Sequence, residues 1–242
     1  MAPFGASRAG LMSVAADDIP DSEIDPEYRW IASDLDLSDS DPVTSNWVDR
    51  VSGLELAPTG SPTFRSDIAG GQPAVEIDSV DDGFDLVSSL PHFDGAYTII
   101  FVGVKLNSVD DDGTVVDFFD DNGVQIRYRD ESGGSPQLFT EPARNFISAP
   151  ESPTVGNPHI ISARWDGSDE EIRINGNGNT ASADSLSDNE GDSDHIGYRN
   201  SGGQSDRNAD FQLLEIQVAT SYDATDLSET ETNLMDFYDI SD

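Results

Sequence analysis

The chain has 242 residues, and its 48 acidic residues outnumber its 12 lysine and arginine residues, which gives a formal net charge of −36 at pH 7. This charge excludes nucleic acid as a partner, because there are too few cations to neutralise a row of phosphates. The absence of cysteine excludes disulfides and thiolate metal sites. The longest apolar run, eight residues from Tyr97, is far shorter than the roughly 20 residues of a membrane-spanning helix.

The types of charged residue in the chain indicate a high-salt environment. Lys105 is the single lysine, and 35 of the 48 acids are aspartate. Like-charge repulsion weakens a compact fold at ordinary ionic strength, whereas salt at about 1 M shortens the screening length to roughly 3 Å. An acidic disordered protein is the alternative. Apolar residues make up 36% of the chain and gather in runs, so a folded, halophilic protein with an acidic surface is the better interpretation.

Residues 1–24 are predicted to form an N-terminal arm, followed by one domain over residues 25–242. Arg8 stands beside a weakly apolar patch of Leu11, Met12 and Val14, which is too thin for a signal peptide but suits docking on an acidic partner. The acidic residues 17–21, broken by Pro20, end the arm. A disordered terminus is the alternative.

From Tyr28 onward, apolar segments alternate with Gly, Pro, Asp, Asn and Ser at the spacing typical of an all-β sandwich. The predicted strands are 30–32, 54–57, 63–65, 74–77, 97–106, 115–119, 124–128, 159–165, 171–175, 195–198 and 209–219. Residues 130–158 and 176–194 are predicted to be long loops, the kind of segment that often carries recognition.

The C-terminus shows the one clear helical pattern. Ser228 is a plausible N-cap with Glu231 at the third helical position, which together form a capping box. The predicted buried face consists of Leu227, Glu231, Leu234 and Tyr238.

Several segments follow one another in the order found in a known family. They are 47–53 (WVDRVSG), 71–78 (GQPAVEID) with 85–86, 97–102 (YTIIFV), 172–176 (IRING), 195–197 (HIG), 211–216 (FQLLEI), and a closing set of Tyr222, Leu227, Ser228, Glu231 and Tyr238. Their order resembles the laminin G-like, concanavalin A-like jelly rolls common in phage virion proteins. The resemblance implies an all-β jelly-roll sandwich with a flexible N-terminal arm and a short C-terminal helix.

Most of the matching residues have structural roles. Asn175 and Gly176 suit a tight hairpin that needs positive φ, and Gly197 suits close approach of two strands. Glu215 lies within an apolar run and is expected to pair with an arginine or the backbone.

Glu76 and Asp78 invite comparison with the carboxylates of jelly-roll glucanases, in which alternating acids on one strand project into a cleft. The third acid of such a site is a glutamate, but the corresponding residue here is Asp81, and aromatic sugar platforms are lacking nearby. The sequence therefore favours a protein that is not an enzyme.

The three histidines, His92, His159 and His195, are far apart in sequence, and each is expected to pack in the fold. Two acidic turns offer hard oxygen ligands for Ca²⁺, with the candidate ligands Asp110, Asp111, Asp112, Asp120 and Asp121. Laminin G-like domains often hold calcium at a rim. The same turns also suit halophilic surface hairpins, and no cofactor is required.

The resemblance and the charge together predict a virion structural protein of a haloarchaeal tailed virus, most simply a surface-exposed capsid turret or decoration protein. The expected partners are the major capsid protein or other virion proteins, further copies of the chain in a trimer or pentamer, and host-surface glycans. The candidate glycan-contact aromatics are Phe93, Tyr128, Phe139, Trp165 and Tyr198, and for each of them a place in the core is the favoured alternative. Assembly would take place in the high-salt host cytoplasm. The alternatives are a tail or baseplate receptor-binding component, or a carbohydrate-binding module or glycosidase of the archaeal host.

Overall fold

The computed structural model describes residues 19–78, 81–88, 90, 95–107, 113–118, 124–128, 135–140, 145–182, 194–197 and 209–241, with only the backbone at residues 139, 140, 145 and 182. The strands are β1 (Tyr28–Ile31), β2 (Trp47–Val48), β3 (Glu55–Thr59), β4 (Thr63–Ala69), β5 (Gln72–Ile77), β6 (Gly83–Leu86), β7 (Tyr97–Lys105), β8 (Gly113–Phe118), β9 (Val124–Tyr128), β10 (Pro136–Thr140), β11 (Asn145–Ser148), β12 (Pro158–Trp165), β13 (Asp169–Ile174), β14 (Asn177–Ser182), β15 (His195–Ile196) and β16 (Phe211–Ala219). A 3-10 turn (Ala32–Asp34) follows β1, and helix α1 (Ala224–Phe237) follows β16.

The strands form two antiparallel sheets of eight strands each. Sheet A has the order β14-β13-β12-β7-β16-β5-β4, with β1 also paired to β16, and sheet B has the order β11-β10-β9-β8-β15-β6-β3-β2. Strands distant in sequence, such as β7 and β16, lie side by side in sheet A. The predicted all-β sandwich with a C-terminal helix is confirmed.

Sheet A lies between sheet B and helix α1, and this explains the long apolar run in β7. Tyr97, Ile99 and Phe101 face the core shared with sheet B, whereas Ile100 and Val102 face a second core beneath α1. Successive side chains of a strand point to opposite faces, so a strand covered on both sides must be apolar throughout. Every residue of β7 is accordingly buried.

The N-cap of helix α1 lies five residues earlier than the sequence predicts. The Asp223 side chain accepts hydrogen bonds from the backbone N–H groups of Thr225 and Asp226, so Asp223 is the N-cap and the prediction of Ser228 was wrong. Ser228 is exposed within the helix, where its hydroxyl faces solvent at little cost. The predicted buried face is confirmed: Leu227, Glu231, Leu234 and Tyr238. Among the described residues, no helix has both the length and the apolar character needed to cross a membrane.

The last residues assigned to the N-terminal arm lie against the body of the same chain. The Ser22 hydroxyl donates to the Gln217 side chain of β16 at 2.6 Å, and the Glu23 backbone N–H donates to the Thr230 hydroxyl of α1 at 3.0 Å. Ile24 is buried in the core beneath α1. This segment therefore helps to fix α1 on sheet A.

The prediction of two long loops was wrong in part. Segment 130–158 contains β10 and β11, and segment 176–194 contains β14, which pairs with β13 along its whole length. β14 is rich in Asn, Gly, Ser and Thr and carries no apolar signal, because its pairing rests on backbone hydrogen bonds at a sheet edge. β2 and β6 also lie outside the predicted strand ranges.

Two glycine-dependent features are confirmed. Asn175 and Gly176 have φ of 46° and 83° and form the tight β13–β14 turn. Gly197 has φ of 93°, and a Cβ atom there would lie 3.1 Å from Ile77 Cγ2 and 3.2 Å from the Asp82 carbonyl oxygen.

Candidate functional site

A polar cleft lies where helix α1 crosses the end of sheet A. Two adjoining hollows, of about 350 and about 660 Å³, share Asn175 and Ser241 in their walls. They are bounded by the C-terminal half of α1, the tail 239–241, the β13–β14 turn and the segment 151–158. We call this feature the α1–β13 cleft.

The β13–β14 turn forms a rigid wall of the cleft. The Asn175 backbone N–H donates to the Ile160 carbonyl at 3.0 Å, and the Asn175 side-chain oxygen accepts from the Ile160 backbone N–H at 2.9 Å. The Arg173 guanidinium donates through Nη2 to the Gly176 carbonyl at 2.8 Å. The turn is thus held to β12 and β13, and its amide groups are presented in a fixed arrangement.

An ion pair lies on the wall between the turn and α1. Arg173 Nη2 is 2.9 Å from Glu231 Oε2, and Glu231 is only 2% exposed. Both Glu231 oxygens are buried within the protein. Burial raises the pKa of Glu231, and Arg173 offsets this only in part. The Arg173–Glu231 pair therefore joins β13 to α1 behind the wall of the cleft.

Helix α1 presents a row of polar side chains along the cleft. Ser228, Thr232 and Asp236 are four residues apart, so they lie above one another on one helix face, and all three are exposed. Met235 and Ile240 add apolar surface to the same hollow. Hydroxyl, carboxylate and apolar groups therefore lie side by side.

His159 lines the smaller hollow and connects it to the interior. It is 2% exposed, and its Nε2 lies 2.5 Å from the Tyr128 hydroxyl, while its Nδ1 lies 3.3 Å from the Asn157 carbonyl oxygen. Burial, together with the ammonium group of Lys105, lowers the pKa of His159 to about 4. The imidazole is therefore neutral at pH 7. Because the carbonyl can only accept, Nδ1 carries the hydrogen and Nε2 accepts from Tyr128.

The Lys105 ammonium lies 5.1 Å from the centroid of the Tyr128 ring. The lysine of this chain is thus a buried residue beneath the cleft, in contrast to the acids that cover the surface.

The chemistry of the cleft suits a ligand that is rich in hydroxyl groups. Amide, hydroxyl and carboxylate groups can pair with sugar hydroxyls, and Met235 and Ile240 can contact the apolar face of a sugar ring. Among the described residues, no group of three or more histidine, aspartate or glutamate side chains is arranged to hold a metal ion.

The structure describes the side chains of two of the five candidate glycan-contact aromatics, and both are core residues. Tyr128 is fully buried, and Trp165 is 6% exposed and packs in the core between the sheets. Neither ring is exposed at the surface, where a ligand could contact it. The Phe139 side chain, Phe93 and Tyr198 lie outside the described part of the structure.

The other predicted site residues also lie outside the described residues. They are the candidate calcium ligands Asp110, Asp111, Asp112, Asp120 and Asp121, and the arm residues Arg8, Leu11, Met12 and Val14.

The carboxylates compared with glucanase acids have structural surroundings. The Glu76 carboxylate accepts from Arg65 Nε at 3.0 Å and from Gln212 Nε2 at 2.7 Å. Burial acts to raise the pKa of Glu76, but the hydrogen bonds from Arg65 and Gln212 outweigh it, so the pKa is lowered. Asp78 and Asp81 are exposed beyond the end of β5. Glu76 thus joins β5 to β4 and β16.

Parts of the cleft could be predicted from the sequence, but their proximity in the folded chain could not. The Asn175–Gly176 turn and the inward face of Glu231 were both predicted, and the segment 151–158 belonged to a predicted recognition loop. The pairing of Arg173 with Glu231 was missed, because the two residues are 58 positions apart and only the packing of α1 on β13 brings them together.

No family model matches the sequence, and neither does any curated protein. Solved structures do match at the level of the fold. The receptor-binding domain of botulinum neurotoxin C/D mosaic serotype has a TM-score of 0.62 at 10% identity, covering 88% of this chain and 52% of that one. The binding domain of Paraclostridial Mosquitocidal Protein 1 has a TM-score of 0.63 at 12% identity, covering 89% of this chain and 53% of that one.

A third similar structure is of botulinum neurotoxin type C, whose cell entry is dependent upon interaction with two ganglioside molecules. It has a TM-score of 0.57 at 13% identity and covers 84% of this chain and 52% of that one. The chain therefore spans about half the length of the solved structures that it matches. At these identities the likeness establishes a shared β-sandwich fold.

Proposed function

We propose that this chain is a non-catalytic saccharide-binding module. The observation that carries the proposal is the α1–β13 cleft, whose walls combine hydroxyl, amide and carboxylate groups with apolar side chains. Its turn is fixed by hydrogen bonds before any ligand arrives, so binding would cost little loop ordering.

The fold supports the same proposal. Two of the similar structures are named as receptor-binding or binding domains, and the third belongs to a toxin whose cell entry depends on gangliosides. These similarities support a glycan at a cell surface as the ligand. The surroundings of Glu76 support a structural rather than catalytic role for the carboxylate that most resembled a glycosidase acid.

The biological setting we propose is the virion surface of a haloarchaeal tailed virus, as a capsid turret or decoration protein. The support comes from the sequence: a net charge of −36 with a single lysine, and the order of segments that resembles virion jelly rolls. Homo-oligomers on a capsid symmetry axis would raise the avidity of weak glycan contacts. A tail or baseplate receptor-binding component is the second setting compatible with the same support.

The binding proposal is tested with a broad panel of immobilised oligosaccharides in molar KCl. We expect binding to a subset of the panel and a loss of at least tenfold in affinity for Asn177→Ala, which removes an exposed amide from the cleft wall. Asn233→Ala is the matched control, because Asn233 is an exposed α1 residue outside the cleft lining. No binding across the panel, with the protein folded, would contradict the proposal.

Two further assays address catalysis and location. Incubation of the protein with the glycans that it binds should release no reducing sugar, and release that Glu76→Gln abolishes would show a glycosidase instead. Mass spectrometry and electron microscopy of purified virus particles should find the chain on the particle exterior. A gene outside any capsid and tail cluster, together with absence from particles, would contradict the virion setting.

A further inference from the structure

The side chains that line the α1–β13 cleft carry more negative than positive charge. Four carboxylate side chains line its two hollows, and they are Glu151, Glu231, Asp236 and Asp239. Arg173 is the one arginine or lysine among the lining residues. His159 contributes no positive charge at neutral pH, because burial lowers its pKa to about 4.

The single guanidinium is already committed to protein groups. Arg173 Nη2 donates to the Gly176 carbonyl at 2.8 Å and lies 2.9 Å from Glu231 Oε2. Its side chain is 15% exposed. The charge of Arg173 is thus balanced by Glu231, and an incoming carboxylate or sulfate would compete with that buried carboxylate for it.

The Glu231 carboxylate lies behind the wall of the cleft. A Cβ atom at position 176 would lie 3.9 Å from both Arg173 Nη2 and Glu231 Oε2, so the turn packs directly over the ion pair. Both Glu231 oxygens are buried, and Arg173 balances their charge. The carboxylates that can accept hydrogen bonds from a ligand are the exposed ones, Glu151, Asp236 and Asp239, and an anionic ligand group would offer them no donor.

We infer that the α1–β13 cleft selects uncharged saccharides and rejects saccharides that carry carboxylate or sulfate groups. The inference rests on the proposed saccharide-binding function and names the ligand class for that site. Sugar hydroxyls donate to the carboxylates of the cleft, and Met235 and Ile240 contact the ring. Acidic sugars place a like charge beside the exposed carboxylates of Glu151, Asp236 and Asp239, and the one arginine of the lining is already paired with Glu231.

The experiment uses matched pairs of oligosaccharides, each an uncharged glycan and the same glycan carrying a terminal sialic acid, glucuronic acid or sulfate. Affinities are measured by saturation-transfer NMR with the full chain in molar KCl at pH 7. We expect the uncharged member of each bound pair to bind at least threefold more tightly, a difference that molar salt reduces but does not remove at contact distance. Equal or tighter binding of the acidic members overturns the inference and leaves the proposed function standing. If no member of any pair binds, both fall together.

A variant series locates the source of the discrimination. Asp236→Asn combined with Asp239→Asn should reduce the preference for uncharged glycans at least twofold, because two exposed carboxylates of the lining become amides that can donate to an anion. Asp236→Asn alone changes an exposed residue and serves if the double variant does not fold. Glu229→Gln, at an exposed α1 position outside the cleft lining, should keep the full preference. If the cleft variants keep it as well, the inference is overturned.

Discussion

Arg29 Nε and Glu215 Oε1 lie 2.7 Å apart beneath helix α1, with the Glu215 carboxylate fully buried. The Tyr238 hydroxyl donates to Glu215 Oε2 at 2.7 Å, and the Gln217 side chain donates to Oε1 at 2.6 Å. The carboxylate thus joins β1 and β16 to the end of α1, which is the arginine-pairing role that the sequence predicted for Glu215.

Removing one partner of this pair should be costly. Arg29→Met leaves a buried, uncompensated carboxylate, so we expect the free energy of unfolding to fall by about 3–5 kcal/mol. The control is Asp34→Asn, which breaks the partly exposed Arg50–Asp34 pair and should cost about 1 kcal/mol or less. Urea denaturation in molar KCl measures both. Equal effects of the two substitutions would contradict the structural role assigned to Glu215.

The His159–Tyr128 pair gives a pH dependence of known sign. The folded chain protonates His159 only near pH 4, whereas the unfolded chain does so near its ordinary value of 6.5. The depressed pKa means that this stability is present above pH 6.5 and is lost as the pH falls towards 4, by up to about 3 kcal/mol.

Comparison with a variant isolates this contribution from that of the acidic side chains. His159→Phe combined with Tyr128→Phe removes both polar partners, so its stability should decline less between pH 6.5 and pH 4 than that of the unmodified chain. Parallel pH profiles of the two proteins in chemical denaturation would show that His159 is not held neutral by its site.

Gly197 and Gly167 offer a matched pair of glycines. Both have positive φ, 93° and 99°, but a Cβ atom at Gly197 meets Ile77 and the Asp82 carbonyl, whereas nothing lies within 4 Å of one at Gly167. Gly167→Ala should cost about 1 kcal/mol from backbone strain alone. Gly197→Ala should cost about 1–3 kcal/mol more, because the strands must also move apart. Similar thermal midpoints for the two variants would refute close packing at Gly197.

The acidic surface predicts a dependence on salt. Moving the protein from about 1 M to about 0.1 M KCl lengthens the screening distance from roughly 3 Å to roughly 10 Å and strengthens repulsion among the carboxylates. We expect the thermal midpoint to fall by about 10 °C or more. Choline chloride is the comparison salt, since screening alone predicts the same effect as KCl. A midpoint that does not change with ionic strength would contradict the halophilic interpretation.

The sequence predicted best the features that depend on local pattern. Strand β7 lies within the predicted strand 97–106, and the β13–β14 turn was predicted because Asn and Gly accept the positive φ that a tight turn requires. The N-cap was misplaced because Asp223 and Ser228 are both capping residues, and only the packed helix shows which one begins it. β14 was missed because backbone pairing with β13, not side-chain pattern, makes it a strand.

The candidate site was less predictable than the fold. Five aromatic residues were candidates for ligand contact with a core role as the alternative, and Tyr128 and Trp165 take the core role between the sheets. The cleft is instead formed by three segments, 151–159, 173–177 and 228–241. These segments are separate in sequence, and only the tertiary structure brings them together. Its key contact, Arg173 with Glu231, joins the middle of the sequence to the C-terminal helix.

The most direct test of saccharide binding at the α1–β13 cleft is a chemical-shift titration of the isotope-labelled chain with an uncharged glycan that it binds. We expect the largest backbone shifts at Gly176, Asn177 and Thr232, and we expect Asn177→Ala to abolish them while Asn233→Ala does not. Shifts confined to residues outside the cleft, unchanged by Asn177→Ala, would contradict it.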